Sequence, residues 1–107
     1  MQEHNHPPRP RLARAKQSKH VPGQPNYIAG RSILTHPDPQ ALLDEWSGRG
    51  TQVGAIRPGL PGSKERVDFR AMIGIYIDPL TGHAIRTARG IIVYDGRGRA
   101  HIIPARP

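Results

Sequence analysis

The chain has 107 residues, enough for one domain, and at that size only about two-thirds of the unfolded surface is buried on folding. It contains no cysteine, which excludes disulfide staples and thiolate metal sites. No apolar run approaches the ~20 residues that span a bilayer, and the N-terminus has no apolar signal core. Sixteen Lys and Arg, most of them Arg, oppose eight Asp and Glu, for a formal charge of +8. Guanidinium forks match phosphate geometry, so the excess points to nucleic acid or an acidic protein as partner, although basic side chains that merely solvate a surface give the same number.

Met1 to Pro10 is polar and carries His4, His6 and three prolines. Residues 1–15 read as a flexible leader or linker remnant, and residues 16–107 as the folded unit. Two histidines in such a tail fall short of the three or four ligands zinc takes, so no metal or other cofactor is expected. Arg11 to Ser18 contains good helix formers, and Pro22 ends any helix by disfavouring helical geometry at Val21. Gln24 to Gly30 reads as a loop that Tyr27 and Ile28 can anchor. The clearest helix follows. Asp38 is a suitable N-cap, Pro39 fits the first helical position, and Leu42, Leu43 and Trp46 share a face. Gly48 or Gly50 ends it.

Strand patterns occupy the rest. Thr51 to Ile56 is a short one, and Arg57 to Ser63 a loop. Lys64 to Phe69 alternates, with Glu65, Val67 and Phe69 on one face and Arg66 and Asp68 on the other. Met72 to Ile77 alternates again, Asp78-Pro79-Leu80-Thr81-Gly82 has turn chemistry, and His83 to Thr87 pairs back. Two apolar runs then flank Asp95-Gly96-Arg97-Gly98, a strong hairpin signal. With a two- or four-residue loop, Ile91, Val93, Ala100 and Ile102 form its apolar face, and Ile92, Tyr94, Arg99, His101 and Ile103 the other. A three-residue loop would exchange the faces of one strand. Helices first and strands after make an α+β fold, with one or two N-terminal helices packed on an antiparallel β-sheet meander.

His20, beside Lys19, and His101, on the last strand, stand out chemically. Imidazole titrates near neutrality, so a pair can serve as base and acid at pH 7. RNA carries its own nucleophile, the ribose 2′-hydroxyl. Cleavage needs a base for that proton, an acid for the leaving 5′-oxygen, and cations for the charged phosphorane. Lys19, Arg86 and Arg31 can supply the cations, while Thr87 and Tyr94 can hydrogen-bond the phosphate or orient a histidine. Plainer readings stand beside these. A lone His is more often a surface or packing residue than a catalyst. Arg86 and Arg89 fit a solvated strand edge, and Glu65 a buried partner of an arginine or a strand end. His36 and His83 fall in a helix-leading loop and a turn. The chain has no phosphate-binding glycine loop, no HExxH and no nucleophile elbow, and its carboxylates are too scattered for a two-metal centre.

Five blocks in order, Lys19 to Gly23, Asn26 to Ser32, Lys64 to Phe69, Thr87 to Tyr94 and Ala100 to Pro107, resemble the bacterial polymorphic toxin type 50 domain. The resemblance spans about Lys16 to Pro107, so residues 16–107 correspond to the toxin, or nuclease, domain. It implies a ribonuclease of the barnase–EndoU–colicin–RelE-like (BECR) fold, with its RNA site on an exposed sheet face. It also implies a larger delivery protein fused N-terminally, a cognate immunity protein and action in the target-cell cytoplasm. The Met1 start with its leader fits an excised module or a free-standing cassette. With the residue chemistry, the expectation is a metal-independent endoribonuclease toxin that contacts no membrane. His20, Lys19, Arg86, Thr87 and His101 are its candidate catalytic residues. Arg31, Ser32, Glu65, Tyr94 and Arg99 are its candidate substrate-binding residues, and an acidic immunity protein is its partner. The alternatives are a non-catalytic nucleic-acid-binding module, a DNase on the same scaffold, and a structural domain of a phage or surface protein.

Overall fold

The computed structural model describes residues 9–107; His4 and His6 lie outside them. Among these residues eight short strands, two α-helices and one 3₁₀ turn form an α+β fold in which the strands divide between two sheets. The larger sheet contains β1 (Arg11–Leu12), β3 (Thr51–Val53), β4 (Lys64–Asp68), β7 (Arg89–Tyr94) and β8 (Arg99–Pro104), in the order β1-β8-β7-β4-β3. β1 runs parallel to β8, and the other neighbours are antiparallel. The smaller sheet is β2 (Ile33–Leu34), β5 (Gly74–Ile77) and β6 (Ala84–Thr87), in the order β2-β5-β6. Gly74 allows the β2–β5 approach, because a Cβ there would lie 2.1 Å from the Ile33 carbonyl oxygen. Arg11 and Leu12, which composition assigns to the leader, are instead paired with Arg99 and Ala100.

α1 (Arg14–Gln17) continues into a 3₁₀ turn, Ser18–His20, and α2 spans Pro39–Trp46. The expected cap holds α2, with the Asp38 carboxylate accepting from the Ala41 N–H at 3.0 Å. Leu42 and Leu43 are buried, and Trp46 meets Phe69 edge-on with ring centroids 6.0 Å apart. The core joins α2 to the inner sheet face through Val67, Phe69, Ile92, Tyr94, Ala100 and Ile102.

The hairpin faces differ from the expected ones. Asp95 N–H donates to the Arg99 carbonyl at 2.8 Å, which leaves Gly96-Arg97-Gly98 as a three-residue loop. Gly98 takes the left-handed conformation at φ +74, and the Asp95 carboxylate accepts from the Arg97 and Arg99 N–H groups. Ile92 therefore faces Ile102 and Val93 faces His101. Ile92, Tyr94, Ala100 and Ile102 point into the core. Ile91, Val93, Arg99, His101 and Ile103 lie on the outer face, together with Lys64 and Arg66 of β4.

Candidate active site

The site depends on how α1 is docked. Gln17 is buried, and its amide donates to the Ile102 carbonyl at 2.8 Å and accepts from the Ile102 N–H at 2.7 Å. Where β1 ends, this side chain continues the hydrogen bonding of β8. Three residues later the 3₁₀ turn lays His20 over His101, with ring centroids 6.1 Å apart and planes inclined by 21°. His20 is only 3% exposed. Its Nδ1 lies 2.8 Å from the Ser32 carbonyl oxygen. A carbonyl only accepts, so Nδ1 carries the proton and Nε2 keeps the lone pair of the neutral ring. The Ser32 hydroxyl accepts from the Ile77 N–H at 3.1 Å, which ties the loop bearing Arg31 and Ser32 to β5.

Burial holds the His20 pKa below the ordinary imidazole value; the Ser32 carbonyl opposes this, and Arg31 and Lys19 reinforce it. His101 is pushed down to about 4, chiefly by burial, then by His20, Lys16 and Lys19, with Asp95 opposing. Both rings are therefore neutral at pH 7, and burial and the fixed positive charge around them disfavour their protonation.

Beside His20 opens a cavity of about 530 Å³. Arg31, Arg66 and Arg106 line it, along with Tyr76 and the outward-facing Ile91 and Ile103. The Arg66 guanidinium donates to the Arg106 carbonyl. The Arg106 guanidinium lies 5.7 Å from the Tyr76 ring centroid and pairs with Asp78 at 3.4 Å. Thr87 is fully buried. Its hydroxyl donates to the Ala105 carbonyl at 2.6 Å and accepts from the Arg89 N–H at 3.0 Å. It thus fixes the segment that carries Arg106, rather than offering a donor to solvent.

The candidate residues fall into distinct places. His20, His101, Lys19, Arg31 and Ser32 come together, with Ser32 contributing through its backbone to His20. Arg99 lies two residues from His101 on the same face, held by Asp95 at 3.2 Å. Arg86 does not join them. The Ile75–Arg86 register puts it on the face of β5–β6 opposite Tyr76, lining a separate cavity with Thr35 and Met72. Glu65 and Tyr94 lie inside the fold, on the sheet face opposite His101. The Glu65 carboxylate accepts from the Gly48 and Gly50 N–H groups at 2.9 and 2.7 Å and from the Tyr94 hydroxyl. Burial and that carboxylate raise the Tyr94 pKa. This arrangement locks the end of α2 to the sheet and leaves neither group to a ligand on the outer face.

Arg66, Arg106, Tyr76 and Gln17 emerge only from the structure as parts of the site. Arg66 carried a signal, since alternation with the buried Glu65 and Val67 sends it outward; Arg106, beyond the last strand, carried none. Among the described residues, no three His, Asp or Glu side chains converge as a metal-ligand set. No helix among them is long and apolar enough to cross a membrane. The arrangement can take a proton at His20 Nε2 and hold an anion beside it. A family model described as bacterial toxin 50 matches residues 12–104. No curated protein matches the chain.

Proposed function

This chain belongs to the bacterial toxin 50 family, and on that premise we propose that it is an endoribonuclease toxin that cuts RNA through its two stacked imidazoles. The observation that carries this reading is the His20–His101 pair beside a cavity lined by three arginines. His20 Nε2 takes the proton of a ribose 2′-hydroxyl. The 2′-oxygen attacks the adjacent phosphorus, and the bond from phosphorus to the 5′-oxygen breaks. His101 returns a proton to that oxygen, leaving a 2′,3′-cyclic phosphate and a 5′-hydroxyl end. A bound phosphodiester brings negative charge beside rings depressed partly by their cationic neighbours. It therefore raises their pKa values toward neutrality, where one can act as acid. Arg31, Arg66 and Lys19 stabilise the pentacoordinate phosphorane. Thr87 positions Arg106.

The toxin assignment and the net charge of +8 support an acidic immunity protein that covers the cationic face. They also support delivery, fused to a larger protein, into a target-cell cytoplasm. The test is incubation with total RNA and with plasmid DNA, each in EDTA. Cleavage of RNA alone, leaving 2′,3′-cyclic ends, is expected. RNA binding without cleavage would replace the reading with a binding module, and cutting of DNA would replace it with a DNase.

A further inference from the structure

The same cavity has a second chemical character that proton transfer does not use. Its floor is apolar where the outward-facing Ile91 and Ile103 lie side by side as paired residues of β7 and β8. Tyr76 rises from β5 at one side, with the Arg106 guanidinium against its ring. Three guanidinium groups surround a surface that water solvates poorly. At about 530 Å³ the space lies within the range of small-molecule sites. A phosphate alone needs the arginines and not the floor; an apolar peptide needs the floor and not the arginines. A nucleotide has both a planar π-face and an anion.

We propose that this cavity is a nucleobase subsite, in which one RNA base lies on Ile91 and Ile103 against the Tyr76–Arg106 pair while its phosphate meets Arg31 and Arg66. The inference rests on the ribonuclease reading and adds to it the part of the substrate that fixes the cleavage register. Bases stack on aromatic rings and on guanidinium planes, and each such contact strengthens binding roughly tenfold to a hundredfold. Aliphatic carbons supply the opposite wall.

Equilibrium binding of the four ribonucleoside 5′-monophosphates, each against ribose 5-phosphate, tests this, since the pairs differ only in the base. We expect at least one nucleotide to bind about tenfold tighter than the sugar phosphate. Tyr76→Ala should bring that ratio close to one by weakening nucleotide binding. Ile103→Ser, which alters the floor and not the wall, should do the same and covers the case in which Tyr76→Ala fails to fold. Equal affinity of nucleotide and sugar phosphate in the wild type would overturn the proposal, as would a ratio that survives in a folded variant. The two readings fail separately. A protein that cuts RNA without favouring nucleotides over ribose phosphate loses only the base site. One that favours nucleotides and leaves RNA intact loses the ribonuclease.

Discussion

Lowering the pH below neutrality should destabilise this protein through its buried imidazoles. His101 titrates near 6.5 when unfolded and at about 4 when folded, because burial and the nearby His20, Lys16 and Lys19 disfavour its charge while Asp95 alone opposes them. His20 is displaced in the same direction. The folded state thus binds fewer protons than the unfolded one between those values. The stability contributed by His101 is complete above pH 6.5 and is lost progressively as the pH falls toward 4. At pH 4.5 that difference amounts to about 2 kcal/mol for His101 alone, a large share of the roughly 5–15 kcal/mol that holds a small domain together. Asp78 and Asp95, held below the ordinary carboxylate range by backbone N–H donors, lose their contribution only at lower pH and stay outside this window. Urea unfolding at pH 7.5 and pH 4.5 reads the loss directly. The variant His101→Phe keeps a flat ring against His20 and cannot titrate, so its loss should be less than half that of the wild type. A wild-type stability that is flat across the window, or an undiminished loss in His101→Phe, would refute the electrostatic description of the pair.

Removing the docking amide tests the platform beneath the histidines. Gln17→Leu strands the Ile102 N–H and carbonyl in the core, at about 1–3 kcal/mol each, and should lower Tm by about 10 °C or more in thermal unfolding. Gly74→Ala drives a methyl onto the Ile33 carbonyl, pushing β2 from β5. It should cost about 1–3 kcal/mol in urea unfolding and slow RNA cleavage, because Ser32, the partner of His20, immediately precedes β2. Glu65→Gln should cost about 1–3 kcal/mol by weakening the acceptor shared by Gly48, Gly50 and Tyr94. RNA cleavage by the folded fraction should be unchanged, and a large loss of its rate would place the site on the opposite sheet face. Cleavage at limiting RNA should fall steeply with added salt; an insensitive rate would deny the arginines their part.

Local signals carried much of this molecule, and long-range ones did not. Asp38-Pro39 and the Leu42–Leu43–Trp46 face identify α2, and the alternation of Glu65, Val67 and Phe69 identifies the buried side of β4, because caps and strand periodicity act over a few residues. The hairpin faces were wrong by one residue of loop. Asp95 and Gly98 can close a three-residue turn as readily as a longer one, and a single added residue exchanges the faces of one strand. His20 and His101 are legible as residue types, yet their contact is not. It depends on Gln17 reaching a backbone 85 positions away, and no local pattern announces such a bond. Arg86 looks equivalent to Arg66 in the sequence. Only the register of β6 on β5, which turns Arg86 to the face opposite Tyr76, sends one to the cavity and the other away from it.

The most direct test is the single-turnover rate of RNA cleavage in EDTA by the wild type, His20→Ala, His101→Ala and the double variant, each shown to be folded. Acid–base catalysis by the pair predicts losses of about 10²–10⁴-fold in each single variant, and a double variant far less impaired than the product of the two losses. Cleavage by both single variants at the wild-type rate would contradict it.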